Sequence, residues 1–252
     1  MRGWLVLAVF FATFAVSTSL AQQDSARVVS APDGGESTMM ESIFVPPKAN
    51  APFSFTLFAE WTRKLSNGGT FTLVNERRIL RDSRGRIFQE RVALNPKGEN
   101  VAKTVTVIQI TDPENHTWYN CIVHTKICDL YFYRHSNTDK FVPARTTDTG
   151  HNPKSFREED LGTSNTIGEE THGYRETETF NPGVATNNQP MVRVREFWYS
   201  PRLALNLIST VDDPLSGRQV FTARDLSPIE PDPAIFEIPS GYTVVDRRAE
   251  KQ

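Results

Sequence analysis

The chain is short of cysteine, has no surplus of basic charge, contains no apolar run long enough to span a bilayer as a helix, and shows no sustained helical periodicity. Each shortage excludes something. With 28 basic against 30 acidic side chains it lacks the positive excess that nucleic-acid binders use to displace counterions, and its charge is too balanced for a disordered polyelectrolyte. No nucleic-acid partner is expected. There is no Gly-x-Ser-x-Gly elbow and no phosphate-cradling Gly-rich loop with Lys, so an enzyme has little support and no cofactor is implied. The length of 252 residues suits one sizeable domain.

The N terminus carries the sharpest signal. Arg2 precedes thirteen almost wholly apolar residues, Trp4 to Val16, followed by Ser17-Thr18-Ser19-Leu20-Ala21. A membrane-spanning helix takes roughly 20 residues, whereas a secretory signal peptide needs a shorter apolar run and small residues before the cut. Residues 1–21 are therefore read as a signal peptide cleaved after Ala21, rather than an uncleaved anchor, and the protein is placed in the periplasm or outside the cell. Removing Arg2 leaves 27 basic against 30 acidic residues. Residues 22–50, polar and broken by Pro and Gly, read as a flexible leader, and residues 51–252 as a single β domain.

An oxidising compartment sets the reading of Cys121 and Cys128. A hairpin turning at His124 and Thr125 pairs Ile122 with Ile127 and puts Cys121 opposite Cys128, at near-bridging distance. A cross-strand disulfide is expected. The alternative is a metal site of Cys121, His124 and Cys128, with His116 nearby, whose spacing is wrong for the common paired-Cys zinc motifs and whose fourth ligand has no evident source. The remaining histidines, His135, His151 and His172, fall in or beside turns and loops and read as solvated.

From Pro52 onward the dominant period is two, interrupted by turn residues at regular intervals. Phe53, Phe55, Leu57 and Trp61 fall on one side of the first strand, Asn67-Gly68-Gly69 makes a hairpin turn, and strands follow over 70–81, 86–94 and 101–110. After the Cys hairpin, residues 135–160 read as a polar surface excursion, and a second series covers 161–167, 173–180, 192–199, 203–211 and 219–225. Asp232-Pro233 opens at most one turn of helix. The expected fold is mainly β: an antiparallel meander of about ten strands forming a strongly curved sheet or incomplete barrel, with little helix. The acidic runs Glu158-Glu159-Asp160, Glu169-Glu170 and Asp212-Asp213 read as solvated, because adjacent acids on a strand point to opposite faces.

Several phrases together resemble a known family: Leu65-Ser66-Asn67-Gly68-Gly69, Arg81-Asp82-Ser83-Arg84-Gly85-Arg86 with Glu90, Glu196-Phe197-Trp198-Tyr199-Ser200-Pro201-Arg202-Leu203, and Glu230-Pro231-Asp232-Pro233-Ala234-Ile235-Phe236 with Tyr242. Over about residues 51–245 the chain is similar to a family of exported bacterial proteins of acidobacterial type. More distantly it resembles periplasmic lipoprotein carriers of the LolA type and the related envelope-stress sensors. That resemblance implies an incomplete antiparallel barrel around an apolar concavity for acyl chains.

Phe53, Phe55, Leu57 and Trp61 are accordingly the candidate binding residues, either ordinary sheet core or the lining of a groove for a lipid or lipidated protein. The expected function is that of a non-enzymatic envelope protein binding such a partner. The alternatives are a structural or protein-interaction module of the envelope and a metal-dependent enzyme using the Cys121-His124-Cys128 set.

Overall fold

The computed structural model describes residues 43–98, 103–133, 154–184 and 187–249. Their strands are β1 (Phe53–Lys64), β2 (Thr70–Arg81), β3 (Ile87–Val92), β4 (Asn95–Pro96), β5 (Val105–Asp112), β6 (Thr117–Ile122) and β7 (Ile127–Phe132). They continue with β8 (Lys154–Thr166), β9 (Glu169–Phe180), β10 (Met191–Ser200), β11 (Leu205–Asp213), β12 (Gly217–Ser227) and β13 (Thr243–Asp246). All belong to one 13-stranded sheet in the order β13-β7-β6-β5-β3-β2-β1-β12-β11-β10-β9-β8, with β4 pairing β2 off that path. The mainly β, antiparallel class expected from the period-two patterning is what is found. The sheet does not close, its edges being β13 and β8.

Two meanders make it, β1–β7 and β8–β12, joined where β1 pairs β12 with Trp61 opposite Gln219 and Leu57 opposite Ala223. Alternation on β1 is the local cause: Phe53, Phe55, Leu57, Ala59 and Trp61 are all between 0 and 9 % exposed, while the residues between them are half-buried. On that face Phe53, Phe55 and Leu57 pack with Ile79, Leu205, Leu207, Phe221 and Ala223. Burying each large apolar side chain contributes about 1.5–3 kcal/mol. A second cluster, Leu80, Phe88, Ile110 and Phe236, lies on the opposite face. There the 3-10 helix Pro233–Phe236 covers the sheet, capped by the Asp232 side chain accepting from the Ala234 N–H at 3.0 Å, with Pro233 starting the helix as its sequence suggests.

Turn chemistry fixes the register. The Asp82 carboxylate accepts from the Arg84 N–H (3.1 Å) and the Arg86 N–H (2.8 Å), closing the β2–β3 turn. At the β11–β12 turn Gly217 has φ +88°, and a Cβ there would sit 2.4 Å from the Thr62 carbonyl oxygen, so only glycine lets this turn press against β1. Gly173 on β9 leaves room for the Trp198 ring of β10, which a Cβ would meet at 2.8 Å.

Three expectations need correction. The excursion drawn over 135–160 ends sooner, because β8 begins at Lys154; its described part is an edge strand with mostly exposed side chains, so neither face imposes a period-two pattern. Residues 134–153 lie outside the described residues, as do His135, His151 and residues 1–42. Residues 43–50, assigned to the leader, pack on the domain through the buried Ile43 and Val45. Finally, β4 and β13 were not anticipated: β13 pairs with β7 in parallel, Val244 opposite Cys128, and is too short to show a period.

Candidate functional site

Phe53, Phe55 and Leu57 are brought together on the apolar face of β1, with the two phenyl rings stacked at 5.1 Å. Trp61 lies further along the same face, outside that cluster, where its Nε1–H donates to the Ser216 carbonyl at 2.6 Å. All four are buried in the structure as it stands. The cover over Phe53, Phe55 and Leu57 is the extended 43–51 segment, carrying Ile43, Val45 and Ala51, together with Leu203 from the β10–β11 turn.

Arg81 ties that cover down. Wholly buried, it donates to three main-chain carbonyls: Ala51 (3.0 Å), Pro46 (2.8 Å) and Leu203 (2.8 Å). Its guanidinium also lies over the Phe53 ring at 4.7 Å. Burial, and then the nearby Arg202 charge, push its pKa down to about 10, so it remains a cation at neutral pH.

Away from β1 the same face turns polar. Arg77, opposite Leu57, is buried, and burial followed by the Arg91 charge push its pKa down to about 10. Arg91 donates to Gln109 (2.9 Å), Gln109 donates to Asn120 (3.0 Å), Asn120 stands opposite Asp129, and Asp129 accepts from Arg247 (3.0 Å). An apolar floor thus adjoins a hydrogen-bonded polar row on one face of one sheet. The buried arginines were missed from the sequence, although the alternation that buries Ile79 also places Asn75 and Arg77 inward, and an arginine on an inward position is the signal.

The acidic runs do not converge on a reaction centre. Glu158 stands opposite Glu176, Glu159 pairs with Arg175 (3.2 Å), and Asp160 with His172 (2.9 Å). Glu169 corrects the solvated reading of its run, since it is buried, and Glu176, outside the three runs, is buried as well. Burial pushes Glu169 up, but hydrogen bonds from Arg202 and Ser200 outweigh it and hold the carboxyl below its ordinary range. Glu176, dominated by burial, is raised. Cys121 and Cys128 face each other in register and are joined in a disulfide, as the hairpin arithmetic predicts. With both sulfurs in the bridge neither is a thiolate, which removes the metal alternative; among the described residues no group of three His, Cys, Asp or Glu side chains could hold a metal ion.

No protein-family model matches the chain, and no curated protein does. Solved structures align with it. One is an uncharacterized conserved protein from Thermus thermophilus, at 8 % identity over 79 % of this chain and 91 % of that one, with a TM-score of 0.41. MucB of Pseudomonas aeruginosa, in its complex with MucA, aligns at 15 % identity over 77 % of this chain and 58 % of that one, with a TM-score of 0.37. A LolA superfamily protein from Nitrosomonas europaea aligns at 10 % identity over 75 % and 90 %, with a TM-score of 0.31. The resemblance to LolA-type proteins is a distant one.

Proposed function

We propose that the protein is an exported, non-enzymatic protein of the cell envelope that binds a lipid or a lipidated partner on the face bearing Phe53, Phe55, Leu57 and Trp61. The observation that carries the reading is the kind of cover this face has: an extended chain segment, residues 43–51, on a sheet that does not close. A ligand takes the face by displacing that cover. Uncovering Ile43 and Val45 costs about 3–6 kcal/mol and releasing the Pro46 and Ala51 carbonyls from Arg81 about 2–6 kcal/mol more, against about 12 kcal/mol gained by an acyl chain of about sixteen carbons at about 0.8 kcal/mol per buried CH2. The adjoining row from Arg77 to Asp129 suits the polar end of an amphiphile.

Organic extraction of the protein purified from its own envelope, followed by mass spectrometry, tests this; a stoichiometric lipid is expected. A photoactivatable fatty acid should label peptides of β1, β11 and β12. Ligand-free protein whose β1 face takes no label refutes the reading. N-terminal sequencing of the same material should begin at Gln22, and a start at Met1 would remove the export step.

A second reading, a protein-interaction module of the envelope, is favoured by β8, an edge strand spanning Lys154–Thr166 with a single sheet neighbour. Crosslinks from β8 to another envelope protein that persist when the β1 face is occupied by lipid would select it.

A further inference from the structure

One end of the sheet gathers the β1–β2, β6–β7 and β11–β12 turns, because β1 is antiparallel to both β2 and β12 and the strands alternate in direction out to β7. Three large apolar side chains stand exposed there: Leu65 at 48 %, Phe71 at 44 % and Leu215 at 63 %. Phe71 pairs with Arg63 across β1–β2, and Gly217 brings the β11–β12 turn against Thr62, so Leu215 lines one cleft of about 420 Å3 with Arg63, Lys64, Arg218, Asp212 and Asp213, beside the β1–β2 turn that carries Leu65 and Phe71.

Charge distinguishes this end from the opposite one. At the opposite end the arginines other than the buried Arg81 are matched: Arg84 with Glu114, Arg86 with Asp82, Arg202 with Glu169 and Arg248 with Asp246. Around the exposed apolar group, Arg63, Lys64 and Arg218 form no ion pair among the described residues, nor does Lys126 in the Cys hairpin turn. Two acids share the cleft: Asp212 stands opposite Arg218 across β11–β12 and Asp213 lies 3.4 Å from Arg193, so Arg63 and Lys64 carry its uncompensated positive charge. Apolar side chains projecting from hairpin tips, ringed by unmatched cations, have the composition that seats at the boundary between headgroups and acyl chains of an anionic bilayer.

We propose that this end of the sheet, led by Leu65, Phe71 and Leu215 and flanked by Arg63, Lys64 and Arg218, docks on the surface of a membrane containing anionic lipid. The contact is peripheral and electrostatically assisted, and it stands independently of what occupies the β1 face. It stands the strands end-on to the membrane surface, with the Asp82–Arg86 turn and the 43–51 cover at the far end.

Vesicle flotation with phosphatidylglycerol–phosphatidylethanolamine vesicles tests it, using wild-type chain and variants with identical N termini so that any contribution of residues 1–42 cancels. Wild-type protein should float with these vesicles, more weakly with phosphatidylcholine vesicles and at high salt. Arg63→Gln/Lys64→Gln should bind about thirtyfold more weakly, at about tenfold for each 1.4 kcal/mol and about 1 kcal/mol per basic side chain near an anionic surface. Leu65→Ser/Phe71→Ser/Leu215→Ser should lose binding by at least as much. The replaced side chains are exposed apart from the half-buried Arg63, which lies over the Trp61 ring, and unchanged circular dichroism and melting confirm folding of both variants. Because both cysteines are in the bridge, Leu215→Cys supplies a unique thiol for an environment-sensitive dye, whose emission should shift to the blue on adding anionic vesicles. Equal binding by wild type and variants overturns the proposal, as does an unmoved dye emission. Failure of wild type to float, together with capture of an envelope protein that the same variants abolish, also overturns it and assigns the surface to a protein partner.

Discussion

Replacing Arg81 by Met keeps an unbranched side chain of similar reach while removing every donor. The Pro46, Ala51 and Leu203 carbonyls then lose their buried partner. Each such loss costs about 1–3 kcal/mol, and the stacking over Phe53 adds about 1 kcal/mol, so the gross penalty is about 7 kcal/mol. Part is returned, because the guanidinium no longer has to be buried: a pKa lowered from the ordinary arginine value to about 10 corresponds to about 3 kcal/mol against the charged form. The net expectation is a loss of about 3–4 kcal/mol, a large share of the stability of an ordinary domain. In urea, with a slope of about 2–3 kcal/mol per molar, the midpoint should fall by about 1–2 M. Limited proteolysis should cut within 43–51 before the rest of the domain unfolds. Arg84→Met, which removes the exposed pair with Glu114, should leave the midpoint in place. An Arg81→Met midpoint within about 0.3 M of wild type, a fraction of that predicted shift, would refute the argument that these bonds hold the cover.

Opening the Cys121–Cys128 bridge removes a loop constraint of eight residues, worth about 2.5 kcal/mol in the chain-entropy treatment, so Cys121→Ala/Cys128→Ala should melt lower than wild type and lose all response to reductant. Gly173→Ala forces a Cβ against the Trp198 ring; a loss of about 1–3 kcal/mol and altered tryptophan emission are expected, and wild-type stability would show that the ring is not held there. The carboxylates divide by sign. Glu169, held below its ordinary range, contributes stability that is complete above about pH 4–5 and lost as pH falls through its folded pKa, so Glu169→Gln should destabilise at pH 7 and converge with wild type in acid. Glu176 is raised, its charged form is disfavoured in the folded state, and Glu176→Gln should stabilise at pH 7 with the advantage fading as pH falls; urea midpoints of the two variants moving in the same direction at pH 7 would contradict this.

The strands with one deeply buried face could be read in the sequence. Alternation on β1, the Gly and Asp turns and the Cys hairpin all specify backbone pairing locally, and β2 runs over the expected Thr70–Arg81. What escaped reading depends on partners distant in the chain. β8 has polar residues on both sides because it is an edge, and β13 pairs with a strand more than a hundred residues earlier. At the site the sequence gathered Phe53, Phe55, Leu57 and Trp61 on one face, and the structure shares that face among core packing, the Arg81-bound cover and a polar row. Composition hid Arg81 and Glu169, since charged residues are ordinarily exposed and their burial depends on carbonyls and side chains brought from elsewhere.

The seam between β1 and β12 has a consequence for the order of assembly. As the chain is made from its N terminus, β1 can pair with β2 early, but its other edge waits for residues 218–227 near the end of the chain. Until then Phe53-Ser54-Phe55-Thr56-Leu57-Phe58-Ala59-Glu60-Trp61 presents an unpaired row of backbone donors and acceptors beside an uncovered apolar face, the arrangement most prone to pair with another chain. A nascent chain stopped before Gly217 therefore lacks the strand that protects its first one, and quality control has the longest time to act on this intermediate.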